Sequence, residues 1–163
     1  MQVIDNSIHI LRLGSILLKD LQKIHTDVIL ADNKNLPNLN FKHYETNSDS
    51  ILVYSDDNSK MINKICNLLK NYSSAVILCC DENLDIYINE INTLNLFHTN
   101  IKVFSYGSKY NLKEISKHLF NNLSNISKLN SDIILIEGLK QDGTGLVLMN
   151  KLNEFAKGSF ILL

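Results

Sequence analysis

The polar residues of this 163-residue chain that are suited to chemistry stand where short apolar runs break off. In order, the breaks fall at Gly14, Asp32, the series Ser55, Asp56, Asp57, the pair Asp81 and Glu82, Gly107, and the pair Glu137 and Gly138. Were these ends gathered on one rim, the carboxylates would suit a hard divalent ion such as Mg²⁺, or a cationic substrate group, because such ions prefer oxygen ligands. Each residue also has a plainer use. An Asp or Ser directly before a helix caps its free N–H groups and sits well in its dipole, and capping is the expectation for any one of them alone.

A second candidate is the stretch Gly138, Leu139, Lys140, Gln141, Asp142, Gly143, Thr144, Gly145, whose glycines have the spacing of a phosphate-binding loop. Backbone amides there would cradle an anion at a helix start. Thr144, however, stands where such a loop needs its lysine, which leaves Lys140 as the substitute cation and a plain turn as the simpler reading. The five histidines (His9, His25, His43, His98, His118) show no i, i+4 pair that would form a metal-binding helix. Ser55 and Ser105 lie in no G-x-S-x-G elbow, so a hydrolase triad has no anchor. No metal ligand set is therefore assigned. The candidate ligand-binding set is Tyr54, Ser55, Asp56, Asp57, Glu137, Gly138, Lys140, Gly143 and Thr144.

Positioning these residues falls to six β-branched runs: Ile8 to Leu13, Asp27 to Ala31, Ser50 to Tyr54, Ala75 to Cys80, Ile101 to Tyr106 and Asp132 to Glu137. Their hydrophobicity is continuous rather than alternating, which predicts strands covered on both faces, as in a parallel sheet between helices. Ser159 to Leu163 is expected to add an edge strand. Met61, Ile65, Leu68, Leu69 and Tyr72 share one helix face, with a cap among Ser55, Asp56 and Asp57. Asn111 and Glu114 have the capping-box spacing ahead of Ile115, Leu119, Leu123 and Ile126. A last helix capped by Thr144 carries Leu148, Leu152 and Phe155, with Gly158 placed to stop it. Residues 33–49 hold the only proline, Pro37, and read as an irregular excursion, while 84–100 begins as helix. The expected fold is a three-layer, Rossmann-like α/β domain with a mostly parallel sheet of about six strands, spanning 1–163 with 1–45 as an appendage to the main unit.

Composition narrows the function classes. A formal net charge of -1, with Arg12 the only arginine, supplies no field to draw nucleic acid or an anionic membrane. No apolar run nears the roughly 18 residues that span a bilayer. The N-terminus lacks a secretory pattern, which predicts a cytoplasmic protein. Cys66, Cys79 and Cys80 form neither an even disulfide set nor a metal spacing. They read as reduced core thiols, with Cys79 and Cys80 on opposite strand faces.

The stretch from Phe41 to Leu152 resembles the C-terminal domain of the Mur ligases, in particular of the ligase that adds D-alanyl-D-alanine to the muramoyl tripeptide. The residues that carry the resemblance are Leu52 to Met61, where Tyr54 and Met61 agree with the family motif in type and spacing, then Val103 to Gly107, and Ile133 to Gly143. In that family ATP binds to a P-loop in another domain. The resemblance thus implies a peptidoglycan-precursor module without ATPase activity, binding a nucleotide or muramyl peptide or working with a separate ATPase chain. Two other expectations are a small Mg²⁺-dependent enzyme using Asp56, Asp57, Asp81 and Glu137, and an interaction protein whose sheet is only a scaffold.

Overall fold

The computed structural model describes residues 2–4, 7–10, 18–30, 46–94 and 100–163. The chain divides into two compact units, 1–42 and 43–163. In the smaller one, β1 (Gln2–Ile4) pairs antiparallel with β2 (Ser7–Ile10), which pairs parallel with β3 (Val28–Leu30); α1 (Leu18–Gln22) precedes β3. The runs expected around Ile8 and Val28 are thus strands of a separate small sheet. Gly14, Asp32 and most of the irregular excursion lie outside the described residues.

The larger unit strictly alternates: β4 (Asp49–Tyr54), α2 (Asn58–Leu69), β5 (Ser74–Cys79), α3 (Asp81–Thr93), β6 (Asn100–Ser105), α4 (Leu112–Ser127), β7 (Ile133–Glu137), α5 (Thr144–Phe155) and β8 (Phe160–Leu162). Its sheet has the order β6-β5-β7-β4-β8, with every pairing parallel. The expected three-layer α/β architecture is therefore the one observed, with three strands in one sheet and five in the other among the described residues.

Topology decides which helices cover which face. The steps β4 to β5 and β5 to β6 run one way across the sheet, and β6 to β7 and β7 to β8 run the other. Right-handed crossovers then place α2 and α3 on one face and α4 and α5 on the opposite one. The two core clusters follow this division. Val53, Ala75, Ile77, Cys79, Ile133 and Leu135 pack with Met61, Ile65, Leu69 and Tyr87, while Leu52, Val76, Leu78, Ile134 and Ile136 pack with Leu119, Leu123, Leu148 and Leu152. Leu52, Ile77, Leu78, Leu135 and Ile136 are completely shielded, each burial contributing about 1.5–3 kcal/mol. Cys79 and Cys80 fall in opposite clusters, as the alternation of a strand requires.

Local signals start and stop the helices. The Asp57 side chain accepts from the backbone N–H of Ser59 and of Lys60 at the head of α2, and Asn111 accepts from Glu114 N–H at the head of α4. Gly143, not Thr144, holds the cap position of α5 and brings no side-chain bond; Thr144 is the first helical residue. At the other end of α5, Lys157 and Gly158 take the left-handed φ values 51° and 80° and turn the chain into β8. Among the described residues, no helix is long and apolar enough to cross a membrane.

Candidate functional site

β7 lies at the centre of the sheet and ends in Glu137. Its flanking strands, β5 and β4, send α3 and α2 to one face, whereas β7 sends α5 to the other. Such a divergence of crossovers opens a crevice beyond the carboxyl ends of the strands. Glu137 sits at its base, only 2% exposed. Its Oε1 accepts a 2.9 Å hydrogen bond from Asn83 Nδ2. Asn83 also exchanges two bonds with Asn58, of 3.0 and 2.8 Å. Asn58 opens α2 and Asn83 stands in the first turn of α3, so this relay ties the ends of β4, β5 and β7 together. Just past β6, the Tyr106 hydroxyl donates to the Glu137 carbonyl oxygen at 3.2 Å.

The relay is incomplete. Glu137 Oε2 and the Tyr87 hydroxyl are both buried without a partner in hydrogen-bond geometry. Burial raises the Glu137 carboxyl above the ordinary glutamate range, and the nearby Cys80, Asn83 and Tyr87 groups offset this only in part. Desolvation, reinforced by the Glu137 charge, likewise pushes the Cys79 and Cys80 thiols up.

Higher on the rim, side chains bind one another. The Tyr54 hydroxyl donates to Asp56 Oδ1 at 2.6 Å; burial, that bond and the charges of Asp56 and Asp142 push it up to about 12. Ser55 Oγ accepts from Asp57 N–H at 3.1 Å. Ser105 donates to Asp81 and Ser108 to Glu82, while Lys109 N–H donates to the second Glu82 oxygen at 3.1 Å. Burial works to raise Glu82, but these bonds, with those from its own backbone and Cys80, prevail and hold it at about 2. Lys140 pairs with Asp142 at 3.2 Å on the surface.

Close approach fixes two glycines. A Cβ on Gly138 would lie 2.8 Å from Tyr54 Cβ and 3.1 Å from the Val53 carbonyl oxygen, so β7 leaves the sheet pressed against β4. A Cβ on Gly145 would meet the Lys140 carbonyl oxygen at 2.0 Å, which closes the turn as a tight structural one.

Of the expected site residues, Glu137, Gly138 and Tyr54 come together at the crevice, with Ser55, Asp56 and Asp57 in the turn after β4. Lys140 and Gly143 are exposed on the turn before α5, and Thr144 starts that helix. The four carboxylates expected to share a metal are spent on a cap, a phenol, a serine and an asparagine. Among the described residues no group of three or more His, Cys, Asp or Glu is placed to hold a metal ion. Asn58, Asn83, Tyr87 and Tyr106 were absent from the expected set. Asn83 and Tyr87, four apart on the buried face of α3, carried a signal that was there to be read: polar groups at core positions of a helix.

The fold defines a three-layer parallel α/β domain, without a glycine-rich phosphate loop among the described residues. Comparison with known proteins gives the family. A model of the threonylcarbamoyl-AMP synthase C-terminal domain matches residues 12–156, and the chain belongs to that family. Among solved structures, it is similar to Sua5 from P. abyssi complexed with L-threonine (TM-score 0.65, 23% identity, 95% of this chain and 44% of that one). A doubly substituted form of P. abyssi Sua5 gives TM-score 0.65 and 21% identity over 95% of this chain and 43% of that one. The chain thus spans less than half the length of these solved relatives.

This family assignment overturns the resemblance to the Mur ligases, and with it the peptidoglycan role and the muramyl-peptide ligand. The physical reason lies in what carried the resemblance. Tyr54 to Met61 is a strand end, a capping turn and a helix start, with Met61 facing the core, and any parallel β-turn-α unit recruits those residue types. The family match lends no support to the readings as a Mg²⁺-dependent enzyme or a bare scaffold.

Proposed function

We propose that this chain serves threonylcarbamoyl-AMP synthesis as a C-terminal domain that positions rather than supplies the reacting groups. The family match over residues 12–156 carries this reading. The crevice supports it: its upper carboxylates are committed to internal hydrogen bonds, and Glu137 lies below them, shielded. The product named by the family is a threonine-derived carbamoyl group joined to AMP, so a nucleotide and L-threonine, which the P. abyssi relative holds, are the ligands of the complete system. The cytoplasm is the proposed compartment, because three buried free thiols suit a reducing one.

A domain replacement tests the reading. The matching domain of P. abyssi Sua5 is deleted or replaced by this chain, and threonylcarbamoyl-AMP is measured by mass spectrometry. The chimera is expected to form the product well above the deletion; a folded chimera no better than the deletion refutes the proposal.

A further inference from the structure

At the end of the sheet opposite the crevice, the entrances of β4 and β7 and the turn from α5 into β8 line a half-open cavity of about 300 Å³. That is the lower end of the range for small-molecule sites, roughly 300–1,000 Å³. Its walls include Asp49, Ser50, Tyr72, Lys157 and Ser159 over an apolar floor at Ile133. The hydrogen bonds described at the crevice involve none of these side chains.

Ser50 is 7% exposed, and its hydroxyl, buried at the cavity wall, has no hydrogen-bond partner. A buried donor left unmade is costly, so natural structures seldom keep one without a reason. Ser50 lines the cavity, and a serine hydroxyl has three staggered positions open to it. Neither Asp49 nor Lys157 takes part in an ion pair among the described residues. Among the described residues, the cavity therefore presents a carboxylate and an ammonium group outside any ion pair, together with hydroxyl groups. Lys157, moreover, holds φ 51°, a left-handed conformation that glycine adopts without strain and lysine does not. Helix termination alone would favour glycine there, as it does at Gly158 next along the chain.

We propose that this cavity binds a small zwitterion of the α-amino-acid class, with Asp49 facing its ammonium group, Lys157 its carboxylate and Ser50 a polar atom between them. The proposal rests on the cavity alone and is independent of the role in threonylcarbamoyl-AMP synthesis.

The full chain, labelled with ¹⁵N, is titrated to millimolar concentrations with L-serine, and separately with ethanolamine and lactate, which each carry only one of the two charges. L-serine is expected to shift the amides of Ser50, Lys157, Gly158 and Ser159 saturably, and the two controls far less. Lys157→Gly removes the ammonium while relieving the backbone, so its melting temperature should hold or rise while L-serine affinity falls about tenfold or more, as for a lost charge-assisted bond. Asp49→Asn should weaken binding comparably, and the spectrum of each variant reports whether it is folded. Absence of shifts, equal shifts from all three compounds, or folded variants that bind L-serine as the wild type does would each overturn the proposal.

Discussion

Replacing Glu137 by Gln should stabilise the chain, and only at the pH where burial penalises the carboxylate. Gln keeps an oxygen to accept from Asn83 and puts an amide N–H where the unpartnered Oε2 stands, close to the unpartnered Tyr87 hydroxyl. An unsatisfied buried group costs about 1–3 kcal/mol, and E137Q can remove that cost together with the buried charge. At about 2–4 °C per kcal/mol for a chain of this length, the melting temperature should rise by several degrees. The sign of the pH dependence follows from the raised carboxyl. The native state holds its proton to higher pH than the unfolded chain, whose glutamate titrates near 4.3. As pH climbs from there through the folded value, the unfolded state releases its proton first and wild-type stability falls. Below the unfolded value both states are protonated and the charge penalty vanishes. Urea denaturation of wild type and E137Q from about pH 4 to about pH 8 should show a difference that grows with pH. A variant less stable than wild type throughout, or a difference independent of pH, would refute the argument.

Gly138→Ala must move either Tyr54 or the Val53 backbone, and overpacking of this kind costs about 1–3 kcal/mol; calorimetry should show a lowered melting temperature. Asp57→Ala removes the acceptor for two N–H groups at the head of α2 and should cost about 1 kcal/mol, read from the urea midpoint. The Cys66 thiol, pushed up to about 11 by burial, the charge of Glu90 adding to this, and the more deeply buried Cys79 and Cys80 should resist Ellman's reagent at neutral pH until denaturant is added. Rapid labelling of the native chain would show that the core opens.

What was legible in the sequence followed from solvent exposure. Continuous runs such as Ala75 to Cys80 announced strands covered on both faces, and the 3- to 4-residue spacing of Ile115, Leu119, Leu123 and Ile126 announced a helix resting on them. The break after Asp132 to Glu137 likewise marked the end of β7, where Glu137 lies buried. Other features were hidden for physical reasons. β1 has three residues, too few for a period to show. Allocation of β2 and β3 to a separate sheet depends on long-range pairing, which leaves no local trace. Asn58 and Asn83 are 25 residues apart and look like ordinary helix-start residues until the fold brings their amides together. The family, finally, could not be read from Tyr54 to Met61, because those residues satisfy the general needs of a β-turn-α corner rather than those of one chemistry.

The site depends on β4, β5 and β7 ending close together, so that Asn58 and Asn83 meet beside Glu137. Side-chain amide resonances of the two asparagines in the ¹⁵N-labelled chain measure this directly. The structure predicts a nuclear Overhauser contact between them and slow exchange of the Asn83 amide with water. Asparagine amides that exchange rapidly and show no mutual contact in a folded sample would contradict it.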